Sequence, residues 1–152
     1  MPPTRAGNAA RGPKAGSVAV AGRHPSLSKA AIVGAARSVL RDERRAAELS
    51  LTFVSSARMR ALHERWKGKA EPTDVLAFAL RGPDGAVTGD IYICPAVAGR
   101  EARARGIPVR QELVRLVVHG VLHVLGYDHP AGPARTRSAM WRRQERYVRT
   151  LA

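Results

Sequence analysis

Cys94 is the single cysteine among 152 residues. An intrachain disulfide framework is therefore excluded, and the residue is expected to pack rather than to bond, as suits a reducing compartment. No stretch reaches the roughly 20 uninterrupted apolar residues that a membrane helix needs, and the N-terminus lacks the apolar block of a secretory signal. The expectation is a soluble, cytoplasmic protein without a membrane partner. Negative charge is the third scarcity: Lys and Arg number 26 against 12 Asp and Glu, a formal +14. Seven of the basic residues and none of the acidic ones fall within positions 1–41, leaving 19 against 12, a net +7, in the remainder. The body is basic as well as the tail. Such a balance points to a polyanion as partner, nucleic acid first, and bears on association rather than chemistry.

Hydrophobic residues make up 45% of the chain, enough to bury the core of one compact domain. The opening MPPTRAGNAARGPKAG has no apolar periodicity and reads as a flexible basic arm, residues 1–16, ahead of a folded domain over 17–152. An Arg-rich, acid-free N-terminus also fits an organellar transit peptide. SVAVAG (17–22) suggests a short edge strand. Ser26 and Ser28 are candidate caps for a helix carrying Ile32, Val33, Ala36, Val39 and Leu40 and ending near Glu43. ELSLTFVS (48–55) alternates as a half-buried strand does, and Ala57, Leu62 and Trp66 mark a helix stopped by Gly68. DVLAFAL (74–80) is nearly all apolar, which predicts a central strand covered on both faces. RGPDGAVTG supplies the turn into DIYIC (90–94), making a hairpin. Three helices follow: one from Pro95 to about Arg105, a long one opened by Pro108 and closed by Gly126, and a last one over roughly 133–150. The fold class is α+β, a single domain with a small mixed sheet packed against helices.

HGVLHVLGYDH (119–129) holds three of the five histidines. His119 and His123, four apart, share one helix face and can reach a single ion, and a left-handed turn at Gly126 can bring His129 back to it. The metal site thus falls on the long central helix and the turn after it. Two imidazoles on an otherwise apolar helix face would be buried without partners unless something binds them. Three nitrogens with no evident fourth protein ligand leave a position for water, the arrangement of a catalytic zinc; one Zn2+ is favoured, with nickel, copper or iron also compatible. His24 and His63 read as satisfied core residues. The H-x3-H-x5-H spacing is shared with a class of zinc proteases, which place a Glu directly after the first His as general base. Gly120 stands there in this chain.

At HGVLHVLGYDH the chain resembles the YbeY-type family, single-domain metal-dependent endoribonucleases with the signature H-G-x-L-H-x-x-G-Y-D-H. PTDVLAF (72–78) is similar to the family's P-T-[DN]-V-L-S-F, with Ala77 for Ser, and GDIYIC (89–94) to its G-D-[IL]-x-I-C. The resemblance implies that His119, His123 and His129 are zinc ligands. It also implies single-strand-specific cleavage of RNA, at the 3′ end of small-subunit rRNA, with the ribosomal small subunit as partner and a role in ribosome maturation and quality control. The family's N-x-x-[YF]-R-G-K becomes HERWKGK, placing His63 at the Asn and Lys67 at the phosphate-contacting Arg. Lys67 keeps the charge and loses the bidentate fork; Arg65 is a candidate to compensate. Asp128 is a candidate to orient a ligand histidine or brace the turn, Asp74 to bond around its strand's start, and Tyr127 and Trp66 to stack on bases or join the core. The alternatives are a metalloprotease-like hydrolase and a non-catalytic RNA-binding assembly factor with a structural metal.

Overall fold

The computed structural model describes residues 16–69 and 71–152; the basic arm expected over 1–16 lies, but for its last residue, outside them. Ten elements follow in order: β1 (Val18–Ala21), α1 (Lys29–Asp42), β2 (Glu48–Phe53), α2 (Ser56–Lys67), β3 (Val75–Arg81), β4 (Val87–Ile93), α3 (Pro95–Arg105), α4 (Val109–Val124), a 3-10 turn (Gly132–Arg137) and α5 (Ala139–Leu151). Local signals act where expected. The Ser28 hydroxyl accepts from the Ala31 N–H at 3.1 Å and starts α1, and Ser138 caps α5 through the Trp141 N–H. The anticipated last helix begins later because Pro133 opens a separate 3-10 turn before Ser138 restarts the chain as α5.

The sheet is mixed, in the order β1-β2-β4-β3. β1 and β2 are parallel, with α1 as their crossover, β2 and β4 are parallel, and β3 pairs antiparallel with β4 in the anticipated hairpin. Alternation along β4 sends Val87, Ile91 and Ile93 to one face and Tyr92 to the other. The first face meets α1 and α4, forming the main core with Ile32, Val39, Leu51, Leu113, Val117, Val121 and Leu122. Across the sheet, Met59 and Leu62 of α2 gather with Leu76, Phe78, Tyr92 and Cys94 in a smaller cluster. Cys94 is buried there, consistent with a packing residue.

β3 is not the central strand its composition suggested. It lies at the sheet edge and its far end is exposed, Leu80 by 74%. The apolar run reflects two different neighbours: Val75 and Ala77 against the main core, Leu76 and Phe78 against the smaller cluster. Beyond Phe78 neither neighbour reaches the strand. Arg81, at its end, sends Nη2 to the Val124 carbonyl at 3.5 Å and so touches the last turn of α4.

α4 is the spine: twelve of its sixteen residues are buried. It crosses the sheet closely at Gly120, where a Cβ would stand 2.6 Å from Ile91 Cγ2. Any side chain there would push the helix off β4. No helix among the described residues is long and apolar enough to cross a membrane.

Candidate metal centre

The end of α4 builds the site. Gly126 takes φ +103, and its N–H bonds to the His123 carbonyl while the Tyr127 N–H reaches back to Leu122 O, both at 3.0 Å. This paired closure reverses the chain over the helix end, a conformation open to a glycine. Asp128 then accepts from the His129 N–H at 2.8 Å, which stiffens the turn. Asp128 braces backbone; no ligand ring bonds to its carboxylate. As a result one ring nitrogen from each of His119, His123 and His129 lies within 4.8 Å of the others', and the ring centroids are 4.5 to 5.1 Å apart.

The hydrogen bonds decide which nitrogens are free. His123 Nδ1 faces the Tyr127 carbonyl at 3.0 Å and His129 Nδ1 the Pro130 carbonyl at 2.9 Å. Carbonyls only accept, so both rings must carry the proton on Nδ1. His119 Nδ1 lies 2.6 Å from Gln144 Oε1, and the amide is oriented by its own Nε2, which donates to Glu145 Oε2 at 3.2 Å. All three Nε2 lone pairs are thereby left facing one another. Three converging lone pairs repel unless a cation lies between them, so the donor set fits a divalent metal of the imidazole-seeking type. Gln144, 25 positions from His119 and on a helix otherwise notable for arginine, gave no signal in the sequence beyond being a polar residue at a core-facing position.

A buried network backs this side of the site. Arg115 donates to both oxygens of Glu145 and, at 2.7 Å, to Glu112, which also accepts from Arg105. Glu43, at the end of α1, accepts from the Tyr127 and Tyr147 hydroxyls, each at 2.9 Å, and from Arg143 at 3.0 Å. Burial pushes the Glu43 pKa up, yet these donors outweigh it and hold the carboxyl below its usual value. Glu43 thus ties the metal-side turn to α1 and α5. Burial drives the His119 pKa down to about 4, beyond the opposing effect of Gln144 and with help from the neighbouring histidines and Arg135. His123 is lowered by burial and by His129. Both rings remain neutral, the form a metal binds.

The three rings line an open cleft of about 510 Å³ whose other wall is Lys67 and the segment from Thr73 to Ala77. Lys67 stands at the last turn of α2, its Nζ 6.0 Å from the Phe78 ring. Arg65 does not line the cleft; its guanidinium stacks on Trp66 at 5.4 Å. The second cation of the cleft is Arg135, from the 3-10 turn, which the sequence reading passed over. Burial raises the Asp74 pKa, and Arg135 opposes the rise; Thr73 Oγ1 donates to its carboxylate at 3.4 Å, in line with a role at the strand's start. Trp66 is 57% exposed and stacks on Phe78, so it belongs to the surface and not to the core. Tyr127 packs partly against the main core. His63 and His24 stay outside the centre and are satisfied locally without being core residues: His63 Nδ1 bonds the Glu71 carbonyl at 2.7 Å, and His24 Nδ1 accepts from Ser26 N–H at 3.1 Å.

The comparisons with known proteins bear on the family and the fold. A family model described as endoribonuclease YbeY matches residues 23–152. A protein of Acidothermus cellulolyticus named endoribonuclease YbeY is 46% identical over 96 residues, covering 55% of this chain and 58% of that one. A namesake from Rhodococcus opacus is 40% identical over 116 residues, 68% of this chain and 64% of its own. The chain therefore spans about three-fifths of the length of these curated relatives. A solution structure from Thermotoga maritima superposes with a TM-score of 0.64 at 28% identity, covering 88% of each chain. With a family match over most of its length, this chain belongs to the YbeY endoribonuclease family.

Proposed function

We propose that the chain is a single-strand-specific, metal-dependent endoribonuclease with one zinc ion held by His119, His123 and His129. It acts on rRNA in the cytoplasm, at the 3′ end of the small-subunit rRNA, with the ribosomal small subunit as partner, and so serves ribosome maturation and quality control. Residues 17–152 are the catalytic domain and 1–16 a basic arm. The observation that supports this most is a set of three imidazoles, each protonated on Nδ1, with bare Nε2 atoms in an open cleft rimmed by Lys67 and Arg135. Bound zinc supplies Lewis acidity toward a phosphoryl oxygen and brings the pKa of water near neutrality. The chain's own part is to orient the three rings, to keep His119 and His123 neutral, and to offset phosphate charge with Lys67.

A peptide-cutting alternative needs a carboxylate after the first histidine. Position 120 faces Ile91 in the sheet, so a Glu there would point into the core and away from the cleft. The proposal is tested by incubating zinc-loaded protein with single-stranded and structured rRNA fragments beside His123→Ala purified identically. Cutting by the parent alone, with the variant still folded, is the expected result. Cleavage of casein with RNA spared would establish a peptidase. RNA bound in a salt-dependent way but left intact with zinc restored would establish an assembly factor.

A further inference from the structure

α5 has two unlike faces. Met140, Gln144 and Val148 turn inward. Arg142, Arg146 and Arg149, at i, i+4 and i+7, form an exposed outward stripe. Among the described residues none of these three, nor Arg135 or Arg137 of the 3-10 turn, has a carboxylate within 4.0 Å. The one acid of α5, Glu145, is engaged by Arg115. A row of guanidiniums without carboxylate partners repels itself, so a bound polyanion is what it suits.

The stripe borders a surface depression of about 690 Å³ whose lining includes Tyr127, Trp141, four arginines from Arg142 to Arg149, and Glu145, the acid that Arg115 holds. Tyr127 lines the metal cleft as well, so the two hollows lie on either side of one residue. Arg135, in the cleft, lies over the Trp141 ring at 5.6 Å, and Arg143 over the Tyr127 ring at 4.8 Å. Arg142 donates to the Arg137 carbonyl at 2.7 Å and fixes the turn to the helix. Cations alternating with aromatic faces along a groove match a single nucleic-acid strand, which offers both phosphates and flat bases. An acidic peptide would use only the charge.

We propose that the outer face of α5 is a second RNA subsite, next to the metal cleft across Tyr127, which holds the single strand beyond the nucleotides in the cleft. It rests on the RNA reading of that cleft. The test uses the full chain without metal, so that no strand is cut, and fluorescent oligoribonucleotides of about 4 and about 16 nucleotides. The variant is Arg146→Gln/Arg149→Gln, which leaves the bond from Arg142 to the 3-10 turn in place, with circular dichroism and cobalt uptake by the histidines as controls for fold and centre. The long oligomer should lose roughly tenfold or more in affinity. Its log–log salt slope should fall by about 1.4, near 0.7 for each of the two phosphate contacts removed. Short-oligomer binding should be unchanged. Equal losses at both lengths, an unchanged slope, or displacement of the long RNA by polyglutamate as readily as by unlabelled RNA would overturn the subsite, the last in favour of an acidic protein partner. Length-dependent binding by a parent that never cuts RNA would sink the nuclease reading and leave the subsite standing.

Discussion

The two walls of the cleft are built on different terms. On the histidine wall every metal-facing ring is held through its other nitrogen, and behind His119 the bonds run inward through Gln144 and Glu145 to Arg115 and Glu112, which have 5% and 4% of their side chains exposed. On the facing wall Lys67 is an exposed residue at a helix end, beside an aromatic pair at the surface. On one wall the metal-facing side chains are fixed before anything binds; on the other, the cation Lys67 is held by no hydrogen bond among the described residues. A metal needs ligands set within tenths of an ångström, whereas a phosphate on a flexible strand is neutralised by a point charge that moves.

The sharpest way to break this contrast is to remove the brace. Arg115→Met leaves Glu112 and Glu145 without their central partner inside the protein, and deleting one member of a buried ionic network costs about 3–5 kcal/mol. Urea unfolding should show a loss of that size, while Lys67→Ala on the other wall should change stability by less than about 0.5 kcal/mol. Equal effects would mean that the walls do not differ as described.

The contrast also governs what could be read from the sequence. His119 and His123 were legible because four residues make one helical turn, and His129 because a glycine reversal has a known geometry. Their partners were not. Gln144 reaches His119 across 25 positions, Glu43 reaches Tyr127 across 84, and Arg135 enters the cleft from the 3-10 turn, each by side-chain packing that no local pattern encodes. The hairpin was legible from its Pro-Asp-Gly turn, yet the place of β3 at the sheet edge was not, because an apolar run looks the same whether it is central or lies at the edge between the main core and a smaller cluster. Gly120 was legible as the absence of a protease base; only the 2.6 Å approach to Ile91 gives the reason it is glycine.

A pH titration of the metal-free protein comes next in size. His119 has its pKa lowered from 6.5 to about 4 in the fold. Between those values the unfolded chain takes up a proton that the folded chain refuses, so stability falls as pH drops from about 6.5 to about 4 and levels below. The span is on the order of 3 kcal/mol. His119→Ala, whatever its absolute stability, should flatten that segment of the curve. A parent that gains stability toward pH 4 would contradict the burial of a neutral ring. Smaller again is Gln144→Leu, which keeps the volume but removes the acceptor that orients His119. Zinc affinity measured by competition with a chelator should fall about 10–100-fold. An unchanged affinity would mean that packing alone sets the ring.

The smallest effect belongs to the adaptable wall and is the most specific. Lys67 faces the same cleft as His123, close enough for its charge to help lower that ring's pKa, yet it makes no hydrogen bond that fixes its position among the described residues. If its role is to neutralise phosphate, Lys67→Ala should lower kcat/KM for a single-stranded RNA by roughly tenfold, about 1.4 kcal/mol at the transition state. The loss should shrink as salt is raised, since free cations then take over part of the screening. Lys67→Arg restores a planar fork at a position whose neighbours do not lock it, so it should recover the parent rate or exceed it modestly, with no change in zinc affinity. A Lys67→Ala variant that loses zinc along with rate would place Lys67 on the rigid wall's side of the division. A salt-independent loss would make it a packing residue against Phe78.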